Sequence, residues 1–237
     1  MKTLVLGASG ATGKLVVSQL LEKNRAARII IRESSAIPDK IAKGKNIEIV
    51  KGDIDGFSTD EIRKLLQDCD SAVCCLGHRV SFTGMFGPPR RLVVNAVKKI
   101  TAVMASGNSS KKFILMSTTA YTNKRRGETN TFAEKLILTL LTIFLPPHRD
   151  NMLAGDHLVY DTQTSPNIEW IAVRPDSLVD EDSSSDYEIH ENKIRSPIFD
   201  PGKTSRINVA HFMASLLADE RLWNTWKYKT PVIYNKG

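Results

Sequence analysis

The chain has 237 residues, 41% of them apolar and 25% charged, and its 33 Lys plus Arg against 26 Asp plus Glu leave a formal charge of +7. That balance is typical of a globular protein with a sizeable core, and it excludes a chain disordered throughout. The positive charge is scattered over residues 40–45, Arg90-Arg91, Lys98-Lys99, Lys111-Lys112 and Lys124-Arg125-Arg126, a distribution that suits solvated faces and an anionic small ligand better than a nucleic acid.

Residues 3–6 form a short apolar run that stops at Gly7. A secretory signal needs a core of ~7 to 15 apolar residues, so this segment is expected to be a strand. A helix is expected over about 11–23, a second strand over 27–31 and a third over 47–50. A fourth strand at 71–75 follows a helix that carries Ile62, Leu65 and Leu66 on its apolar face. Leu92, Val93, Ala96, Val97, Ile100, Val103 and Met104 then repeat at three and four, and Gly107 sits where a C-terminal glycine belongs. Residues 112–116 and 169–173 read as the fifth and sixth strands. Strands separated by helices imply βαβ units and a parallel sheet, with the ligand site at the carboxyl ends of the strands.

Between strands five and six, Thr131 and Glu134 have the spacing of a capping box, opening a helix that Pro146 ends. Residues 136–145 are apolar around almost the whole helix, so both faces are expected to be buried, either in the core or at a homodimer interface through the 131–145 helix. Their ten residues are about half of what crosses a bilayer, so no membrane span is expected. The polar stretch 146–151 reads as a helix–helix connection with Asp150 or Asn151 as N-cap; His148 in the mouth of a substrate site is the alternative. Asn208 is expected to cap a helix carrying Val209, Phe212, Met213, Leu216 and Leu217, with a last strand at 231–234. Cys69, Cys74 and Cys75 form no Cys-x-x-Cys pair, and the five His have no metal-ligand spacing. No metal is therefore expected, and free thiols favour a reducing, cytoplasmic setting.

The segment Gly7-Ala8-Ser9-Gly10-Ala11-Thr12-Gly13 directly follows the first strand and opens the first helix. Gly7 permits a tight turn, Gly10 a close approach of backbone to a pyrophosphate, and Gly13 the packing of helix on strand. The helix N-terminus offers N–H groups to phosphates, and Ser9 and Thr12 add hydroxyls. Arg32 ends the second strand nineteen residues after Gly13. An acid there would accept the ribose hydroxyl of NAD, whereas arginine accommodates the 2′-phosphate of NADP. NADP is therefore expected, with NAD left open by the adjacent Glu33. Asp53 can accept from an adenine amino group with Ile54 against the ring, or serve as an ordinary turn aspartate. Leu76-Gly77 lets the backbone pass close to the cofactor ribose. The loop over 77–89 is long enough for a lid, with Phe82, Met85 and Phe86 placed to cover a flat acceptor. Cys74 and Cys75 fall beside the same ribose, as small core residues or as oxidisable thiols.

Together with Ser117-Thr118, Val173-Arg174-Pro175 and the 205–213 segment, these motifs resemble the short-chain dehydrogenase/reductase superfamily. Within it the chain is similar to the atypical NAD(P)-binding, NmrA-like and biliverdin-IXβ/flavin reductase branch. The resemblance implies a Rossmann-type doubly wound α/β sheet with helices on both faces, in a single domain whose residues 176–237 complete a substrate pocket. It implies that Gly7, Ser9, Gly10, Ala11, Thr12, Gly13 and Arg32 hold the adenosine half of NADP, and that Asp53 and Ile54 border the adenine. Leu76, Gly77, Ser117, Thr118, Arg174 and Pro175 would line the nicotinamide side. Relatives carry a second arginine four residues after the first; Ala36 stands there, with Lys40 as a substitute.

Most members use a Tyr-x-x-x-Lys pair, and no Tyr here has Lys four residues on. The candidate catalytic residues are therefore Ser117, Thr118 and Tyr121. The expected function is hydride transfer from NADP(H) to a small-molecule acceptor (a flavin, quinone or carbonyl compound) that needs no strong protein acid. A redox sensor without turnover is the alternative, and an epimerase or dehydratase the third.

Overall fold

The computed structural model describes residues 1–79, 81–162 and 165–236. Val80, in the long loop, lies outside them. The chain opens with β1 (Lys2–Leu6), α1 (Ala11–Glu22), β2 (Ala26–Ile31), α2 (Asp39–Ala42) and β3 (Ile47–Lys51). It continues with α3 (Thr59–Leu66), β4 (Ser71–Cys74), α4 (Phe82–Phe86), α5 (Leu92–Ala105) and β5 (Lys111–Met116). Then come α6 (Phe132–Phe144), α7 (Pro146–Asp156), a π-helical turn at His157–Asp161 and β6 (Ile168–Pro175). The last elements are β7 (Ser177–Val179), β8 (Tyr187–His190), β9 (Lys203–Ser205), α8 (Arg206–Ala218), α9 (Glu220–Trp226) and β10 (Val232–Asn235).

Among the described residues, eight strands form one sheet in the order β3-β2-β1-β4-β5-β6-β10-β8, and β7 pairs with β9 in a small separate one. Every pairing in the large sheet is parallel except β10 with β8. Successive strand residues point to opposite faces, and both faces are apolar, so each must be covered. Leu4, Leu6, Ile30, Phe113 and Leu115 pack with residues of α3, α5 and α7 on one face. Val5, Ile29, Ile31, Ile114 and Val173 pack with α1 and α8 on the other. This is a Rossmann-like α/β fold. β1 lies between β2 and β4, so strand order reverses there and a crevice opens at its carboxyl end.

Three local expectations are corrected. α6 has its Thr131–Glu134 capping box, but it is not a core helix: Leu138 is buried, whereas Phe132 is 84% exposed and Leu136, Leu140, Ile143 and Phe144 are also open within the chain. α6 packs on α7, outside the helical layer that already covers the sheet. Asp150 and Asn151 cap no connection, because the helix that contains them starts at Pro146. Two prolines in its first turn have no N–H to satisfy there. Finally, α8 begins at Arg206, and the Ser205 hydroxyl accepts from the Asn208 N–H at 3.2 Å. β9 ends at Ser205 and runs straight into the helix. The buried Asn208 side chain instead joins Ser185 and Asn235, which pins the acidic 180–186 segment at Ser185. No helix among the described residues is long and apolar enough to cross a membrane.

Candidate functional site

A cleft of about 680 Å³ lies at the carboxyl ends of β1, β2, β3 and β4. Gly7, Ser9, Gly10, Ala11 and Thr12 form one wall, Arg32, Ser34, Ser35 and Ala36 a second, and Gly52, Asp53 and Ile54 the end beyond β3. The segment from Cys75 to Arg79, with Gly84, Pro88, Pro89 and Leu92, forms the opposite wall, and Met116, Leu178 and Arg206 complete it.

Two glycines of the β1–α1 turn are dictated by space. Gly7 has φ +77°, and a Cβ there would sit 2.5 Å from the Cys75 carbonyl oxygen. A Cβ on Gly13 would fall onto the Gly7 carbonyl, with its carbon only 2.7 Å away. The Gly10 N–H donates to the Gly7 carbonyl at 2.9 Å. Gly10 then starts α1 with no side chain capping the first turn. The N–H groups of Ala11 and Thr12, in the cleft wall, therefore have no capping side chain.

Arg32 is exposed in this wall; its carbonyl accepts from the Ser35 N–H at 2.9 Å, and its guanidinium makes no hydrogen bond or ion pair among the described residues. Glu33 and Lys40 are exposed but do not line the cleft, whereas Ala36 does. Asp53 accepts from the Asp55 N–H at 3.2 Å, an Asx turn that still leaves it facing the cleft, and Ile54 is buried beside it.

Of the residues expected on the nicotinamide side, Leu76 and Gly77 line the cleft, and Ser117, Thr118, Arg174 and Pro175 do not. Of the β5 end, Met116 lines the cleft and Ser117, Thr118 and Tyr121 do not. Ser117 is buried, and its hydroxyl has no partner among the described residues. The Thr118 hydroxyl accepts from the Ala120 N–H at 3.2 Å as a turn cap. Tyr121 is buried and its hydroxyl donates to Asp156 at 3.2 Å; burial and that carboxylate push the phenol far above its ordinary range. Arg174 is 0% exposed. Its Nε donates to the Thr230 carbonyl, Nη1 to the Tyr121 carbonyl and Glu128, and Nη2 to Glu128 and the Glu191 carbonyl. All five guanidinium N–H groups are thus used inside the protein, and none remains for a cofactor. Pro175 is buried beside it.

The loop also differs from expectation. Gly84, Pro88 and Pro89 face the cleft, while Phe82 is 76% exposed and sits 5.1 Å from the Phe86 ring. Cys75 lines the cleft, but its thiol is buried and pushed above its ordinary range, and Cys74 is pushed up to about 12, so neither is a thiolate near neutral pH. His148 is half-buried in α7 away from the cleft, and burial lowers its pKa.

His78 and Arg206 line the cleft without having been singled out in the sequence. His78 lies directly after the Gly77 that was. Its Nδ1 lies 3.2 Å from the Gly84 carbonyl oxygen and its Nε2 2.8 Å from the Asp150 carboxylate. Arg206 pairs with Asp180 at 3.0 Å.

A family model described as NAD(P)H-binding matches residues 7–220, from the first turn glycine to the start of α9. The chain belongs to this NAD(P)H-binding family. Similar curated proteins cover only part of it. A hybrid PKS-NRPS synthetase of Talaromyces variabilis is 29% identical over 106 residues, which is 43% of this chain and 3% of that protein. An uncharacterised chloroplastic protein of Arabidopsis thaliana is 29% identical over 117 residues, 49% of this chain and 40% of that one. The chain therefore spans well under half the length of these relatives. Solved structures resemble it over their length. An oxidoreductase from Lactococcus lactis superposes with TM-score 0.71 at 17% identity, covering 100% of this chain and 91% of that one. A short-chain dehydrogenase/reductase from Veillonella parvula in complex with NADP gives 0.70 at 16% identity, covering 100% and 95%. An anaerobillin reductase from Escherichia coli gives 0.69 at 16% identity, covering 99% and 97%. At these identities the likeness establishes the fold alone.

Proposed function

We propose that the protein is an NADP(H)-dependent reductase of the atypical short-chain dehydrogenase/reductase type, acting on a small flavin, quinone or carbonyl acceptor. The observation that carries this reading is one continuous cleft, running from Arg32 past the uncapped first turn of α1 to Met116 and Leu178. NADPH, when bound, supplies the hydride. The chain's own residues bind and orient. The unpartnered Arg32 guanidinium suits a 2′-phosphate, and the N–H groups of Ala11 and Thr12, with the Ser9 and Thr12 hydroxyls, suit the pyrophosphate. Ile54 offers an apolar surface to the adenine, and Gly77 leaves room for the ribose.

With Tyr121 tied to Asp156 and no paired Lys, the chain provides no familiar relay to a carbonyl. That favours acceptors whose reduced nitrogen or oxygen takes its proton from water. Leu178 and Arg206 support a role for residues 176–237 in the acceptor end of a single domain.

A second reading, a redox sensor without turnover, draws on the open apolar face of α6, where Leu136, Leu140 and Ile143 would meet another protein or a second copy. Mixing the protein and NADPH with FMN, riboflavin and small quinones separates the two. Acceptor-dependent NADPH oxidation that is lost in the Gly13→Ala variant supports the reductase. Tight NADPH binding with no oxidation of any acceptor favours the sensor.

A further inference from the structure

We propose that His78, protonated on both ring nitrogens, is a latch that holds α4 and the Pro88-Pro89 segment closed over the cleft, and that the latch releases when the ring loses a proton.

The geometry gives the ring two acceptors and no donor. Nδ1 faces the Gly84 carbonyl at 3.2 Å and Nε2 faces the Asp150 carboxylate at 2.8 Å. A neutral imidazole has one N–H, so it keeps only one of these bonds and turns a lone pair toward the other oxygen. With the carboxylate the stronger partner, the Gly84 bond is the one lost. The side chain is 4% exposed and that of Asp150 0%, so water cannot readily replace the missing bond.

Asp150 is a firm anchor. Its two oxygens also accept from the N–H groups of Val93 and Val94, at 2.7 and 3.0 Å. It thereby caps the N-terminus of α5 from α7, a place where a carboxylate is favoured. One carboxylate joins two helices of the core to the loop. On the other side the latch holds little else: α4 has no buried residue. Among the described residues the loop's other bonds are internal, such as those from the Gly84 N–H to the Ser81 hydroxyl, from the Met85 N–H to the Ser81 carbonyl and from Arg90 to the Phe86 carbonyl.

Asp150 is the charged group that acts on His78, and it raises the imidazole's pKa against a smaller lowering by burial. From the other packed elements, Cys74 at the end of β4 is neutral, and Asp55, opposed by the Lys99 ammonium of α5, senses Asp150 weakly. Arg79 is the neighbouring charge on the loop itself. The direction follows by linkage. The closed state binds the proton more tightly, so closure is complete below the ordinary histidine value of ~6.5 and weakens as pH rises through the raised value. Each pKa unit gained on closure multiplies the loop's opening by about ten.

Hydrogen exchange on the protein without nucleotide tests this directly. Exchange of peptides covering 81–91 is compared at about pH 6 and about pH 8.5, divided by the intrinsic amide rates, in wild type, His78→Gln and Asp150→Asn. The expected result is an opening that increases with pH in wild type and is high and pH-independent in His78→Gln. In Asp150→Asn the rise should move down toward the ordinary histidine range. Equal corrected exchange at the two pH values in wild type, or an unchanged rise in His78→Gln, overturns the latch. The wild-type profile decides the matter by itself if a variant fails to fold, and no arm depends on cofactor binding.

Discussion

Removing the Glu128 carboxylate by Glu128→Ala asks whether Arg174 is a structural cation or a cofactor ligand. Arg174 is fully buried, and the Glu128 side chain is 4% exposed. Two guanidinium nitrogens donate to Glu128 at 2.7 Å each, and the N–H groups of Asn123 and Lys193 donate to it at 2.8 and 3.1 Å. The variant leaves an uncompensated buried cation and two backbone donors without partners. Breaking a buried pair in this way costs about 3–5 kcal/mol. For a chain of this size each kcal/mol lowers the melting temperature by roughly 2–4 °C, so a drop of roughly 6–20 °C is expected in a thermal melt. NADPH affinity, measured well below that temperature, should stay within about twofold. The pair also gives a pH signature. Burial raises the Glu128 carboxyl, but Arg174 and the N–H groups of Asn123 and Lys193 together outweigh it and hold the group below its ordinary range. Its stabilisation is therefore present above the unfolded carboxyl value and lost as pH falls through the folded one. Replacing both partners, as in Glu128→Leu with Arg174→Met, should recover much of the loss. A stability change under ~1 kcal/mol together with a tenfold change in NADPH affinity would refute the reasoning and return Arg174 to the cofactor.

Three further outcomes follow from the same geometry. Gly13→Ala forces a Cβ onto the Gly7 carbonyl; it should cost about 1–3 kcal/mol of stability by overpacking and weaken NADPH binding at least tenfold in a fluorescence titration. Arg32→Ser should weaken NADPH by roughly 10- to 100-fold, the worth of a charge-assisted contact, and leave NADH nearly unchanged. Cys69, Cys74 and Cys75 are buried, with the Cys69 thiol pushed up to about 11; all should resist a thiol reagent near neutral pH in the native protein and react once urea unfolds it.

What could be read from the sequence was local. The β1–turn–α1 unit, Arg32 at a strand end and the 92–104 periodicity each lie within one short segment, where spacing alone decides the geometry. What could not be read depends on distant partners. Arg174 enters the site only through the resemblance, and nothing near it in sequence betrays Glu128, which reaches it across 46 positions. Asp150 looked like the cap of its own helix, yet it caps α5 from 57 positions away. The all-apolar 136–145 stretch suggested burial, but which layer a helix joins is settled by the elements that have already covered the sheet. Ser205 and Asn208 are both good caps, and the end of β9 chose between them.

The central claim, that this cleft holds NADP(H), is tested most directly by titrating NADPH and NADH side by side into wild type and Arg32→Ser. Saturable NADPH binding, tighter than NADH in wild type and levelled to it in the variant, is the expected result. Absence of binding by either nucleotide to the folded wild-type protein, or NADPH affinity indifferent to Arg32, would contradict it.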